Sequence, residues 1–116
     1  MDKKIVEVTD GIKPKSTEAQ VDAFIEADLV YASENLPLTW VSNFDGRATK
    51  GFADALLAKL YLYQASTSNS QEKYTASLAK SEEVINSGVY TLVPSYKTLF
   101  SLEGNNSTES IFEVQQ

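Results

Sequence analysis

The sequence predicts a mainly α fold: a helical hairpin preceded by one further helix, with short extended segments at the ends. Three observations carry this reading. Apolar residues recur at helical spacing over three separate stretches, each opened by a Ser or Thr suited to capping a helix. A short polar run, Ser66-Thr67-Ser68-Asn69-Ser70, separates the second stretch from the third and makes them antiparallel neighbours. Strand-like runs, by contrast, lie near the two ends, at 5–8 and 111–115.

Residues 5–8 read as a short strand, which Asp10-Gly11 and Pro14 end. Thr17 with Gln20 is a capping-box signature, because hydroxyl and amide each satisfy an orphan backbone N–H. From there Val21, Phe24, Ile25, Leu29 and Ala32 share one stripe, with Asp22, Glu26 and Glu34 largely off it. Pro37 pushes the residue before it out of the α region, so this helix ends near Asn35. Residues 38–46 form a loop carrying the one tryptophan, Trp40.

The second helix opens near Thr49 and runs to the vicinity of Ser66, rich in the strong helix formers Ala, Leu and Lys. Ala53, Leu56, Leu57, Leu60 and Tyr61 make its apolar face, and Lys50, Asp54 and Lys59 fall mostly elsewhere. Ser70 caps the third helix, which passes through Tyr74, Leu78, Ser81 and Ile85 and stops at Gly88, a left-handed residue. This is the hairpin unit of tetratricopeptide-like repeats. Leu57, Ala58 and Tyr61 stand where its first helix takes large, small and aromatic residues, and Ser77 and Ser81 allow close approach of the second. A solenoid unit normally needs neighbours to bury its faces, and the third helix is rather polar. Beyond Gly88, residues 89–94 are extended, Ser95 caps a short turn through Tyr96, Leu99 and Phe100, and 103–107 are turn-rich. The terminal run 111–115 has 5–8 as its expected partner. The expected core is Phe24, Leu29, Leu57, Leu60, Tyr61, Leu78 and Ile85.

The 116 residues fit a single domain, 1–116, of ordinary globular composition, 42% hydrophobic and 22% charged. Ten basic and 16 acidic residues give a net charge of −6, which argues against nucleic acid and against anionic lipid as partners. Without His or Cys, the chain cannot build a His-based triad, a thiol nucleophile, a disulfide or a Cys/His zinc site. It also lacks EF-hand spacing, and Thr49-Lys50-Gly51 lacks the glycine spacing of a phosphate loop, so no metal and no cofactor are expected. No apolar run approaches the ~18 residues that span a membrane, and the first residues lack the apolar core of a signal peptide.

An enzyme would have to use carboxylates: Glu82-Glu83, Asp22 with Glu26, or Glu109 with Glu113. Adjacent helical residues point apart, an i, i+4 acidic pair is usually solvated, and no apolar pocket raises one pKa. No catalytic residue is assigned, and a non-enzymatic role is expected. Trp40 is the candidate for carbohydrate contact, since sugars stack their apolar faces on aromatic rings, and Asn43 and Asp45 beside it can bond hydroxyls. The competing and favoured reading makes Trp40 core at the junction of the first two helices, because Trp is on average highly buried. Tyr61, Tyr63, Tyr74, Tyr90 and Tyr96 offer a sugar platform or, as their pattern favours, amphipathic packing. Arg47 either binds an anion or pairs with Asp45 or a nearby Glu, the pair being favoured.

Four stretches in this order resemble the SusD/RagB family, the cell-surface nutrient-binding lipoproteins of Bacteroidetes. They are STEAQVDAFIEADLVYASENLP; GRATKGFADALLAKLYLYQ with its Arg-Ala-Thr-Lys start; AKSEEVINSGVYTLVPSYKTLF; and NNSTESIFEVQQ. The resemblance implies a non-catalytic protein of the outer membrane surface. It would capture oligosaccharide in polysaccharide utilisation and nutrient uptake, and would work with a SusC-type TonB-dependent transporter. It also implies that the chain is a middle excerpt of a longer protein, with Met1 an added start and the lipid-anchored Cys and irregular C-terminal region lying outside it. The helical side would face the transporter and the glycan site would be built largely from loops elsewhere, so no complete ligand site is expected here. The alternative is a freestanding helical-hairpin module for protein–protein interaction.

Overall fold

A computed structural model describes residues 14–41, 44 and 46–114. Its framework is three helices: α1 (Glu18–Asn35), α2 (Lys50–Ser68) and α3 (Gln71–Asn86). Each start has the cap the sequence provides. Thr17 and Gln20 form the reciprocal capping box, Thr49 accepts from the Phe52 N–H, and Ser70 accepts from the Lys73 N–H. The ends are equally local. Leu36, held extended before Pro37, still donates its N–H to Ala32 O at 2.9 Å. Helix α3 closes with Ser87, and Gly88 follows at φ 71.

Helix α2 runs two residues beyond the expected Ser66. Thr67 and Ser68 donate their hydroxyls to Tyr63 O and Gln64 O, at 3.0 and 2.7 Å, so the polar run stays inside the helix. Asn69 then takes the left-handed cap conformation, φ 49 and ψ 42, and Ser70 starts α3 directly.

The hairpin α2–α3 is the tetratricopeptide-like unit, and α1 lies against the other side of α2. The backbones of α1 and α3 do not approach each other, so α2 is the middle element. Its residues dominate the apolar core: Ala53, Leu57, Ala58 and Ala65, joined by Val84 of α3. Leu57 is 0% exposed. Ser77 is buried opposite Ala58 and donates to its carbonyl at 2.8 Å, the close approach that a small residue permits.

Three expected core residues are exposed instead: Phe24 at 54%, Leu78 at 59% and Ile85 at 72%. All lie on the outer helices. Their helical stripes are real, but each outer helix has only α2 to pack on, so part of its stripe faces outward. Leu29, Leu60 and Tyr61 are half-buried.

Among the described residues there is no β-strand. Residues 90–93 form no strand; they meet the later segment at two points, where the Thr91 N–H donates to Thr108 O and the Val93 N–H to the Glu109 carboxylate, each at 2.9 Å. The run expected as a strand from 111 instead packs on α2, with Phe112 stacked on Phe52 at 4.3 Å between ring centroids. Its proposed partner, residues 5–8, and its last expected member, Gln115, lie outside the described residues. Between these segments the chain turns through two short 3₁₀ pieces, Tyr96–Phe100 and Leu102–Gly104. Ser95 precedes the first without a side-chain capping bond.

Candidate functional site

Two polar constructions stand out, one buried and one open. The buried one centres on Asp54, which the helical wheel placed off the apolar face and which is 2% exposed. The correction has a simple cause: α2 has neighbours on two sides, so the side away from the apolar stripe is covered as well. The carboxylate accepts from Ser33 Oγ of α1 at 2.5 Å and from Lys80 Nζ of α3 at 3.1 Å, and it pairs with Lys50 at 3.2 Å. Glu83 closes the cluster against Lys80 at 3.0 Å and Lys50 at 3.5 Å. Burial pushes the Asp54 carboxyl upward, but the bonds from Ser33, Lys80 and Lys50 outweigh it and hold the group below its ordinary value. Burial likewise opposes the charge on Lys80, and Glu83 and Asp54 overcome it and raise that group. The cluster ties all three helices together; every member is used in holding them.

Three more of the carboxylates named as catalytic pairs have structural partners. Glu26 binds Lys73 at 3.1 Å, and Glu109 accepts from the Val93 N–H at 2.9 Å. Both oxygens of Glu113 lie 3.0 Å from the Asn106 backbone N–H. That bond, with Ser110, depresses the Glu113 pKa.

The open construction is a cleft of about 360 Å³ between the α1–α2 loop and the segment after α3. Lys50 N–H donates to Pro37 O at 2.9 Å, which brings the two ends of the loop together at the base of α2. Within the loop, Trp40 donates its indole N–H to Ala48 O at 2.8 Å and meets Phe44 edge-on at 6.2 Å. Gly46, at φ 85, turns the chain back so that Arg47 returns over these rings. Its guanidinium carbon sits 4.0 Å from the Phe44 centroid and 5.5 Å from that of Trp40. Tyr90 forms part of the opposite wall, its hydroxyl 3.2 Å from Thr49 Oγ1, and its ring lies over Gly51, where no side chain intervenes.

Trp40 is therefore half-buried, with one edge tied to the backbone and its ring lining the cleft. Asn43 and Asp45 lie outside the described residues. Arg47 takes aromatic partners rather than a carboxylate of the described residues. Of the tyrosines, Tyr61 packs beneath Lys73 at 4.5 Å and Tyr90 lines the cleft, whereas Tyr63 and Tyr96 are largely exposed. Phe44 went unassigned from sequence, and Tyr90 was weighed only as one of five tyrosines, with packing favoured over a sugar platform. The aromatic–x3–aromatic–x2–Arg spacing of Trp40, Phe44 and Arg47 was the available signal, whereas nothing local ties Tyr90 to a loop forty residues earlier. A second, wider cleft of about 730 Å³ between α1 and α2 is rimmed by Glu18, Asp22 and Glu26. Among the described residues no His, Cys, Asp or Glu cluster could hold a metal ion, and no helix is long and apolar enough to cross a membrane.

The three-helix unit, with a loop-walled aromatic cleft at one end, defines a tetratricopeptide-like helical scaffold. Comparison with known proteins identifies the lineage. The chain is 34% identical over 113 residues to a SusD-like protein of Bacteroides ovatus, an alignment covering 93% of this chain and 20% of that protein. The crystal structure of a SusD-like protein from Bacteroides fragilis matches it with a TM-score of 0.74 at 33% identity, over 89% of this chain and 20% of that one. No family model matches the chain. It belongs to the SusD/RagB family and spans 20% of the length of these relatives.

Proposed function

We propose that the chain is scaffold and partner-contact region of a non-catalytic, glycan-binding SusD-like protein, and that the Trp40 cleft supplies one wall of its glycan site. In this reading the longer protein is a lipoprotein at the outer face of the outer membrane. It captures oligosaccharide there and passes it to a SusC-type TonB-dependent transporter. The single observation that carries the binding part is the cleft itself, where Trp40 and Phe44 line a space of about 360 Å³. Aromatic rings give a sugar's apolar face a flat, rigid contact at small entropic cost. The outward apolar rows of α1 and α3, with Phe24, Leu78 and Ile85 exposed, support the scaffold and partner-contact part.

The test is a titration of the chain's amide NMR spectrum with a panel of plant and host oligosaccharides. Saturable shifts are expected in the Trp40 loop and around 106–113, and Trp40→Ala should abolish them while leaving the helix resonances in place. A dispersed spectrum that no sugar perturbs would sink the binding part.

A further inference from the structure

The cleft holds a positive charge that no described carboxylate neutralises. Lys50, Lys73 and Lys80 each have an acidic partner within 3.2 Å. Arg47 has no such partner among the described residues, and its guanidinium lies on the faces of Phe44 and Trp40. A guanidinium held over ring faces can still direct N–H groups of its planar fork to an acceptor. The geometry of that fork matches a carboxylate with two parallel bonds. Glu113 lines the same cleft, yet both its oxygens are turned to the Asn106 N–H. The indole N–H of Trp40 is likewise spent on Ala48 O, which leaves Arg47 as the charged donor on this wall.

Resting on the proposed glycan site, we infer that the cleft takes a carboxylate-bearing sugar, its acid group received by Arg47 and its ring carried on Trp40 and Phe44. The net charge of −6 disfavours anions at long range, so recognition depends on this one local fork. Neutralising the acid should therefore remove most of the affinity.

The measurement is calorimetric titration of the chain with short oligosaccharides of galacturonate, glucuronate and sialate, each beside its own methyl ester. In at least one pair the free acid should bind about tenfold or more tightly than the ester, as a charge-assisted bidentate contact predicts. Arg47→Gln should bring that ratio close to one, with Arg47→Lys in between. Acid and ester binding equally in every pair would overturn the acidic-sugar inference and leave the glycan site standing. An Arg47→Gln chain that keeps the preference would overturn the role of Arg47. No binding of any sugar, charged or neutral, would remove the glycan site along with the inference.

Discussion

Replacing Asp54 by alanine tests how the three helices are held together. The carboxylate is 2% exposed and carries bonds from Ser33, Lys80 and Lys50. Removing one partner of a buried ion pair costs ~3–5 kcal/mol, because the other charge is left without compensation in a dry site. Here the two lysines are not fully dry: the side chains of Lys50 and Lys80 are 33% and 23% exposed, and Glu83 remains beside both. The cost should accordingly fall at or just below the lower end of that range, ~2–3 kcal/mol. Urea unfolding of both chains at neutral pH gives the comparison directly, as a lower midpoint with little change in slope. A midpoint that does not move would mean that the cluster behaves as a solvated surface pair, and the account of α2 as a helix covered on both sides would fail. The same cluster sets a pH dependence whose sign follows from its two shifted groups. Asp54 titrates below its ordinary 3.8 in the folded chain, so its contribution is present above that value and is lost as pH falls through the folded pKa. Lys80 titrates above its ordinary 10.5, so its contribution is present below that value and disappears as pH rises through the folded pKa. Asp54→Ala should flatten the acid arm.

Two further substitutions probe the packing. Leu57→Ala, at a fully enclosed apolar position, should cost ~2–5 kcal/mol, read as a lower thermal midpoint; an unchanged midpoint would refute the α2–α3 packing. Gly51→Ala has a sign that depends on Tyr90. Ala is the better helix former by up to ~1 kcal/mol, but its Cβ would lie 2.6 Å from the Tyr90 ring edge, so overpacking should win by ~1–3 kcal/mol. Adding Tyr90→Ala should reverse the effect, and equal effects in both backgrounds would show that Tyr90 does not sit over Gly51.

The framework was legible because its signals are local. Thr17, Thr49 and Ser70 each bond to an N–H three residues ahead, and Pro37 and Gly88 act on their immediate neighbours. Such bonds depend on spacing, which a sequence displays. What depends on which side of a helix is covered was not legible. Phe24, Leu78 and Ile85 share the periodicity of core residues, and only the order of the helices in space turns them outward. Asp54 is the mirror case, a charged residue drawn inside because Ser33 and Lys80 arrive from two other helices. The i, i+4 spacing of Lys50 and Asp54 was visible, but an isolated pair of that kind is normally a surface feature. At the cleft, the sequence placed Trp40 in a loop but favoured it as core; the residue is half-buried, tied by a bond to Ala48 that spacing alone does not reveal.

The placement of α2 between α1 and α3 also governs how the structure comes apart. In a stack where each element touches only its neighbours, stability is approximately a sum of element terms and interface terms. The middle helix shares in both interfaces, whereas each outer helix shares in one. Amide protection should therefore be graded across the unit, greatest in the stretch of α2 around Leu57 and Ala58 and weaker toward the outward faces of α1 and α3. Anything that covers an outer row would raise protection on that side first, and would reach the opposite helix through α2, the Asp54 cluster and the Glu26–Lys73 ion pair.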